Sequence, residues 1–309
     1  MTGTLPTPES GNPELFGDST LGVLGLGLLG GALAQRALKA GLTVSGYDPD
    51  PTCRARFSEA GGQAAGSARA VARSSRRILL VLPHDGVTRD VLDEIADGLA
   101  PGTLVLDATT GDPAATEAFA QGLATRGVTY LDTTVSGSSE QARRGEALLM
   151  IGGPVAAFES CRDLLTILAE RAIHTGPTGS AAKFKLVTNL VLGLNRAALA
   201  EGLVFAGTLG LDPAKTLETL RSSAAASRIM DSKGEKMLRA DFAPQARLSQ
   251  HLKDVRLMLE SAAHAGQRLP LSEAHRELLE QAERLGLGAL DNSAVIRAIE
   301  AAKEPSAPA

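Results

Sequence analysis

The chain has 309 residues, of which 44 % are hydrophobic and 21 % are charged, and its formal net charge at pH 7 is −4. This length predicts two domains, while the acidic balance and an aromatic content of only 3 % argue against a nucleic-acid partner or an anionic membrane surface. The cysteines and histidines lack the spacing of a metal site, and apolar stretches of about 18 residues are interrupted by charges or helix breakers, so we expect neither a bound metal nor a membrane span.

The first 20 residues differ in composition from the rest of the chain. They are rich in Pro, Gly, Ser and Thr, and they contain neither the basic segment nor the apolar segment of a signal peptide. We therefore expect a disordered tail over residues 1–20 and a cytoplasmic location for the protein.

Short apolar runs alternate with amphipathic segments between residues 21 and 180. Runs of strand length occupy 21–26, 43–47, 77–82, 103–107, 128–132, 147–153 and 171–176. Continuous apolar strands separated by helices are typical of a mostly parallel sheet that is covered on both faces. The pattern predicts an α/β fold in which residues 21–180 form a doubly wound sheet.

Helical periodicity replaces the strand pattern beyond residue 180. It predicts helices over 181–209, 213–222, 228–239, 248–265, 271–285 and 293–302. No low-complexity linker separates the two halves of the sequence. We therefore expect one long interdomain helix that leads into an all-α C-terminal domain over residues 181–309.

A glycine-rich segment follows the first predicted strand and opens the first predicted helix. Its residues form a GxGxxG motif, Gly25-Leu26-Gly27-Leu28-Leu29-Gly30. In the Rossmann fold, the glycines of such a motif permit a tight turn, approach of the backbone to a pyrophosphate and close helix–strand packing. The position of the motif predicts a dinucleotide-binding Rossmann domain, and a glycine-rich turn without a ligand is the alternative.

Asp48 stands at the end of the second predicted strand, 23 residues after Gly25. A carboxylate at this position can accept hydrogen bonds from ribose hydroxyls and repels a 2′-phosphate, which favours NAD over NADP. Arg54 and Arg56 follow closely and leave NADP possible. A second interpretation makes Asp48 a turn or helix cap, and one carboxylate can serve both purposes.

A second group of polar residues lies where the two predicted domains join. Lys185 and Asn189 are four positions apart, so they share one face of the predicted helix, and that face is otherwise apolar. A lysine and an amide there could meet a substrate hydroxyl and carboxylate. From the residues alone, an exposed lysine with an incidental asparagine is the alternative, and Lys183 competes with Lys185 for the catalytic position.

Several motifs occur in an order that resembles the β-hydroxyacid dehydrogenases. This family includes 3-hydroxyisobutyrate dehydrogenases, tartronate semialdehyde reductases, and glyoxylate or succinic semialdehyde reductases. The resemblance covers nearly all of the predicted folded chain, from residue 21 to residue 299. Its motifs are, in chain order, GLGLLG at 25–30, Leu82-Pro83, Asp107-Ala108-Thr109-Thr110, Val135-Ser136-Gly137, the glycine-rich segment at 176–189, Lys253-Asp254 and Gly286-Leu287-Gly288.

The resemblance implies roles for particular residues. Lys185 falls on the lysine of the family and Asn189 on its asparagine, whereas Lys183 falls on a variable position. The resemblance also implies cofactor contacts from Leu82, Pro83, Thr110 and Lys253, and substrate-carboxylate contacts from Ser136, Gly137 and Ser138. Many 3-hydroxyisobutyrate dehydrogenases have glycine at the position of Ser138, where this chain resembles the glyoxylate and succinic semialdehyde reductases. Those reductases, however, commonly carry an arginine suited to NADPH where this chain has Asp48.

The function implied by the resemblance is hydride transfer between a nicotinamide and a small β-hydroxy acid, or the corresponding semialdehyde or 2-oxo acid. Lys185 would donate or accept the proton, which requires burial to lower its pKa from about 10.4. One alternative is an imine reductase-like enzyme, and the presence of both Lys185 and Asn189 argues against it. The other is a non-catalytic nucleotide-binding regulatory protein, which would need only the motifs of the first domain. The apolar-rich helical half predicts a homodimer or homotetramer.

Overall fold

The computed structural model of the chain describes residues 20–302. The predicted tail at 1–20 lies outside the described residues, apart from Thr20, which begins the first strand. Among the described residues the sheet has eight strands: β1 Thr20–Leu24, β2 Thr43–Tyr47, β3 Gln63–Ala64, β4 Arg77–Leu80, β5 Leu104–Asp107, β6 Thr129–Ser136, β7 Leu148–Gly152 and β8 Arg171–Gly176. Their order across the sheet is β3-β2-β1-β4-β5-β6-β7-β8.

Neighbouring strands of the sheet pair in parallel, except that β6 and β7 are antiparallel. Successive side chains of a strand point to opposite faces, so an unbroken apolar run supplies both sides of the sheet. Val23 and Leu79 belong to the hydrophobic core on one face. Leu24 and Leu80, the next residue in each strand, belong to the core on the other face.

Helices cover both of these faces. They are α1 Leu28–Lys39, α2 Pro51–Glu59, α3 Ala68–Ser74, α4 Asp85–Ile95, α5 Pro113–Ala124, α6 Ser139–Arg144, α7 Val155–Ser160 and α8 Arg162–Leu168. Leu33 of α1 and Leu165 of α8 pack into the first core, and Val71 of α3 and Leu92 of α4 pack into the second. The arrangement is the doubly wound Rossmann sheet that the apolar runs predict.

The remaining described residues form a helical layer with a hydrophobic core of its own. Its helices are α9 Ser180–Thr208, α10 Pro213–Ser222, α11 Glu235–Leu238, α12 Leu248–His264, α13 Pro270–Arg284 and α14 Val295–Ala301. The first turns of α9 pack on β6 and β7, and the rest of the helix contacts α12, α13 and α14. The predicted interdomain helix and all-α second half are therefore confirmed.

The helix α9 is also the one segment of the described chain with the length and apolarity of a membrane span. It has 29 residues, and one third of its most apolar 18-residue window is buried inside the protein. The core helix of a soluble protein passes the same test, so this property alone does not assign α9 to a membrane.

Two local predictions differ from the structure. The strand predicted at 128–132 continues to Ser136 as β6, because its polar Asp132, Thr133 and Thr134 are buried and do not end the strand; Asp132 and Thr134 bond to α9. The helix predicted over 228–239 begins as a π-helix at Met230–Gly234 before α11 follows. The extension of β6 depends on contacts with α9 that span 47 and 50 positions of the chain, which periodicity does not report.

Candidate active site

The glycine-rich loop between β1 and α1 has the shape of a phosphate-binding turn. Gly25 has a φ of 94°, and a Cβ there would collide with the carbonyl oxygen of Val81. A Cβ on Gly30 would collide with the carbonyl oxygen of Gly25, whereas a Cβ on Gly27 would meet no protein atom within 4 Å. Gly27 is the N-cap of α1 and supplies no side-chain cap. The open space and the uncapped helix N-terminus fit the pyrophosphate of a dinucleotide.

Asp48 follows β2 and lies directly against this loop. Its Oδ2 accepts a hydrogen bond of 2.7 Å from the backbone N–H of Leu26, and its Oδ1 accepts one of 2.9 Å from that of Asp50. Asp48 thus supports the turn, and its contact with a ribose stays a prediction. Arg54 donates to the carbonyl oxygen of Asp48 at 2.6 Å and lies over the ring of Tyr47, so its guanidinium is held close to the same edge.

The loops that follow β4 and β5 meet α12 across the cleft between the two halves. Lys253 Nζ donates to the carbonyl oxygen of Thr110 at 2.6 Å and to that of Pro83 at 3.5 Å. Gln250 donates to the same Pro83 oxygen at 2.9 Å. The backbone N–H of Leu82 donates to Thr109 Oγ1 at 3.1 Å, which ties one loop to the other. The structure therefore brings together Leu82, Pro83, Thr110 and Lys253.

A buried carboxyl group fixes the loop that carries Thr110. Asp107 Oδ1 accepts a hydrogen bond from the N–H of Thr109 at 2.8 Å, and its Oδ2 accepts one from the Tyr130 hydroxyl at 2.7 Å. Burial raises the pKa of Asp107 to about 6, even though both hydrogen bonds act in the opposite direction. The Asp107 side chain thus holds the loop of Thr110 in place.

The N-terminus of α9 is fixed on the sheet by two side chains of β6. Asp132 Oδ2 accepts a hydrogen bond from the backbone N–H of Ala182 at 3.1 Å, in the first turn of the helix. Thr134 Oγ1 donates to the carbonyl oxygen of Ala181 at 3.2 Å. Burial raises the pKa of Asp132, and hydrogen bonds from backbone N–H groups of the helix start oppose that shift. These contacts set the rotation of α9 and hence the directions of its lysines.

Lys185 points inward from α9 and is only 8 % exposed. Its Nζ donates a hydrogen bond of 2.6 Å to the carbonyl oxygen of Val135, the residue before Ser136. Burial lowers the pKa of Lys185 to about 8; the Asp254 carboxylate opposes this shift and the Lys253 ammonium adds to it. The structure thus places a lysine that loses its proton near physiological pH beside the loop that begins at Ser136.

Lys183, two residues earlier, points the other way. Its Nζ pairs with Glu117 of α5 at 2.9 Å, and its side chain is 62 % exposed. A separation of two residues corresponds to about 200° around a helix, so the two ammonium groups face opposite sides. The geometry favours Lys185 over Lys183 as the lysine of the cleft.

Asn189 is buried one turn beyond Lys185 and contacts a carboxylate from α12. Its Nδ2 donates to Asp254 Oδ2 at 2.9 Å, while Asp254 Oδ1 lies 2.8 Å from Lys253 Nζ. Asp254 therefore joins the amide on α9 to the lysine on α12. The sequence interpretation did not assign Asp254 to the site, although its position next to Lys253 in a shared motif was the signal that could have identified it.

The end of β6 and the segment that follows it carry the three residues predicted to bind the substrate carboxylate. Ser136 ends β6 and is half-buried, and Gly137 has a φ of 151° with Ala147 packed against it. Ser138 caps α6: its Oγ accepts the Gln141 N–H at 3.2 Å, and its own N–H donates to Gln141 Oε1 at 2.9 Å. Ser138 thus has a structural task, and a substrate contact through its hydroxyl stays a prediction.

Comparison with known proteins agrees with this geometry. Residues 20–176 match the NAD binding domain of 6-phosphogluconate dehydrogenase, and residues 179–299 match the NAD-binding domain of NADP-dependent 3-hydroxyisobutyrate dehydrogenase. The chain is therefore an NAD(P)-dependent oxidoreductase built from a Rossmann domain and a helical domain. No group of three or more side chains suited to a metal ion occurs within residues 20–302.

Individual relatives extend over almost the whole chain. A 2-(hydroxymethyl)glutarate dehydrogenase of Eubacterium barkeri is 32 % identical over 91 % of this chain and 94 % of its own length. A 2-hydroxy-3-oxopropionate reductase of Escherichia coli is 30 % identical, over 91 % and 97 % respectively. The crystal structure of a 3-hydroxyisobutyrate dehydrogenase from Salmonella typhimurium superimposes with a TM-score of 0.84 at 27 % identity, covering 90 % of this chain and 99 % of that one. The chain belongs to the β-hydroxyacid dehydrogenase family.

Proposed function

We propose that this protein interconverts a small β-hydroxy acid and the corresponding semialdehyde, with Lys185 as the proton donor and acceptor. The observation that carries the proposal is the hydrogen bond from Lys185 Nζ to the carbonyl oxygen of Val135, which holds a buried lysine beside Ser136. The relatives that act on 2-(hydroxymethyl)glutarate and 2-hydroxy-3-oxopropionate support a substrate that carries both a carboxylate and a primary alcohol or aldehyde.

The bound nicotinamide supplies the hydride acceptor in oxidation and the hydride donor in reduction. In oxidation, neutral Lys185 accepts the proton of the substrate hydroxyl, and in reduction its ammonium returns a proton to the developing alkoxide. Because burial lowers its pKa to about 8, both forms are available near neutral pH. We expect kcat for oxidation to rise as the pH increases through about 8, and kcat for reduction to fall over the same range.

The residues around Lys185 have complementary tasks in this proposal. The Ser136 hydroxyl and the backbone N–H of Gly137 donate hydrogen bonds to the substrate carboxylate. Asn189 positions the reacting hydroxyl through its amide, and Asp254 holds that amide in place at 2.9 Å. These assignments are supported because the buried face of α9 meets the end of β6, where Lys185 bonds to Val135.

For the cofactor, the proposal favours NAD over NADP. A carboxylate at Asp48 binds the ribose hydroxyls and repels a 2′-phosphate. Arg54, held at the same edge by the carbonyl oxygen of Asp48, is the residue that moderates this preference. Leu82, Pro83, Thr110 and Lys253 line the nicotinamide side, and residues 25–30 bind the pyrophosphate.

The proposal also includes a homo-oligomer, because one face of α9 is apolar and exposed. Phe184, Val187 and Val191 are 49 %, 61 % and 51 % exposed, and Phe205, farther along the helix, is 62 % exposed. A contiguous apolar face of this kind is typical of a protein–protein interface. Light scattering after size exclusion should give at least a dimer, and Val187→Glu should shift the mass toward the monomer. A monomeric wild-type protein would contradict this part of the proposal.

A panel of substrates tests the proposed reaction. The protein should oxidise NADH with semialdehydes such as 2-hydroxy-3-oxopropionate and succinic semialdehyde, and reduce NAD with 2-(hydroxymethyl)glutarate and 3-hydroxyisobutyrate. Cyclic imines should give no turnover. Turnover of imines without turnover of hydroxy acids or semialdehydes would favour an imine reductase and contradict the proposal, and binding of NADH without any turnover would favour a regulatory protein.

A further inference from the structure

Two hydrogen bonds to the helical half of the protein flank residues 136–138, the predicted substrate segment. Before the segment, the carbonyl oxygen of Val135 accepts from Lys185 Nζ at 2.6 Å. After it, the Ser139 hydroxyl donates to the backbone carbonyl oxygen of Gln245 at 3.1 Å, across 106 positions of the chain. The proposed function uses the first of these bonds and assigns no task to the second.

The helix that Ser139 begins does not need the Ser139 hydroxyl. Ser139 is the first residue of α6 and is only 7 % exposed. The capping box of α6 is formed by Ser138 and Gln141. Alanine is a better helix residue than serine, so helix formation does not favour a serine here. The feature that a hydroxyl adds at this position is the hydrogen bond to Gln245.

Gln245 lies in the loop before α12, residues 242–247, and Asp291 fixes this loop. Asp291 Oδ2 accepts hydrogen bonds from the backbone N–H groups of Gln245 and Ala246 at 2.9 and 3.3 Å. The backbone N–H of Asp291 donates in turn to the carbonyl oxygen of Phe242 at 2.9 Å. The carbonyl group of Gln245 is therefore an acceptor of fixed position.

A buried ion pair holds the Asp291 carboxylate. Lys233 Nζ lies 2.8 Å from Asp291 Oδ1 and 2.9 Å from its Oδ2, and the two side chains are 4 % and 0 % exposed. The Ser293 hydroxyl also donates to Asp291 Oδ1 at 2.8 Å. Because separating such a pair leaves an uncompensated buried charge, the pair is a rigid support for the loop. A continuous series of contacts thus runs from this ion pair through Gln245 to Ser139.

The two bonds that flank the substrate segment differ in their chemistry. In the proposed reaction Lys185 gains and loses a proton, so the charge on its bond to Val135 changes in every catalytic cycle. The Ser139 hydroxyl stays neutral throughout, and its acceptor is held by an ion pair remote from the proton transfer. The bond at Ser139 is therefore the one that can keep the segment in place during the reaction.

We infer that Ser139 is a positioning residue for the substrate site. Through Gln245 it holds residues 136–138 against the helical half, and it thereby sets the distance between the carboxylate-binding groups of this segment and Lys185. The buried ion pair behind Gln245 is the anchor of this arrangement. The inference rests on the proposed function, because it concerns the same site.

Ser139→Ala tests the inference, and Ser160→Ala is the matched control. Ser160 also loses one hydroxyl-to-carbonyl hydrogen bond, to Ala157 at 2.8 Å, but within the Rossmann half. Ser139→Ala should raise KM for the hydroxy acid about 3- to 10-fold, the range expected for loss of one hydrogen bond. Because carboxylate binding is shared by the ground state and the transition state, kcat should stay within about twofold of wild type.

The control separates positioning from a general loss of stability. Ser160→Ala should retain the KM of the wild type, and both variants should retain its Kd for NADH, measured by fluorescence. A wild-type KM in Ser139→Ala, or an equal rise of KM in Ser160→Ala, would overturn the inference.

A double-mutant cycle tests the anchor. Lys233→Met releases the loop that carries Gln245, so Ser139→Ala should raise KM hardly further in that background. If the two effects on KM multiply, the ion pair does not act through Ser139 and the inference is wrong. Should Lys233→Met not fold, Ser293→Ala takes its place in the cycle, because it removes a milder contact with the same carboxylate.

Hydrogen exchange gives a readout that does not depend on turnover. Exchange of the backbone amides of residues 136–144, followed by mass spectrometry of the peptides, should be faster in Ser139→Ala than in wild type and unchanged in Ser160→Ala. If the substrate panel fails while this exchange is faster, the proposed function is wrong and the positioning of the segment by Ser139 is supported. Unchanged exchange in Ser139→Ala contradicts the inference, whatever the panel shows.

Discussion

Gly193→Ala is the substitution whose effect follows most directly from the packing of α9. The added methyl would lie 2.5 Å from His251 Nε2 and 2.8 Å from His275 Cε1, so α12 or α13 has to move. Alanine gains about 1 kcal/mol over glycine in a helix interior, whereas overpacking of a tight core costs about 1–3 kcal/mol. We expect a net loss of about 0–2 kcal/mol in the free energy of unfolding.

Gly202→Ala is the matched control in the same helix, because its Cβ would meet no atom within 4 Å. It should stabilise the protein by about 1 kcal/mol, so the two variants should differ by about 1–3 kcal/mol in urea denaturation followed by circular dichroism. Displacement of α12 in Gly193→Ala also moves Asp254 away from Asn189, and kcat should fall with stability. Equal stability of the two alanine variants would refute the packing described around Gly193.

Three further predictions concern single side chains. Asp48→Ala should reduce the preference for NADH over NADPH, measured as the ratio of their kcat/KM values. An unchanged ratio would show that Asp48 only supports the turn. Ser138→Ala should cost about 1 kcal/mol of stability through loss of the α6 cap. A large rise in KM would support the predicted substrate contact as well, and an unchanged KM would confine Ser138 to the cap. Burial raises the pKa of Asp107 from 3.8 to about 6 on folding. Between these two pH values the folded chain binds more protons than the unfolded chain, so the free energy of unfolding falls as the pH increases through this range. Relative to Asp107→Asn, the wild type should lose on the order of 1–3 kcal/mol between pH 4 and pH 6, and a constant difference would contradict the raised pKa.

Local patterns in the sequence account for most of the fold. The strand–glycine–helix order around Gly25 and the length of α9 are properties of neighbouring residues, and the structure confirms the Rossmann sheet and the helical half. The capping box at Ser138 can also be predicted from the sequence, since Ser138 and Gln141 have the spacing of that motif. The substrate contact that the family resemblance implies for Ser138 stays a prediction beside this capping role.

The interactions that define the candidate site join residues far apart in the chain. The bond from Lys185 to Val135 spans 50 positions, and the bond from Asn189 to Asp254 spans 65. The packing of His251 and His275 over Gly193 depends on how α12 and α13 meet α9, which no helical periodicity specifies. The sequence therefore indicates which residues can carry the chemistry, whereas their partners and protonation states depend on the packed structure.

The central claim is that Lys185 is the acid–base group, and the paired variants Lys185→Met and Lys183→Met test it most directly. Lys185 is buried against the carbonyl oxygen of Val135, whereas Lys183 forms an exposed ion pair with Glu117. Loss of a positioned proton donor costs about 10²–10⁴ in rate. We predict that Lys185→Met lowers kcat by that amount with unchanged NADH affinity, while Lys183→Met stays within a few-fold of wild type. A Lys185→Met enzyme with wild-type kcat, or a loss confined to Lys183→Met, would contradict the account.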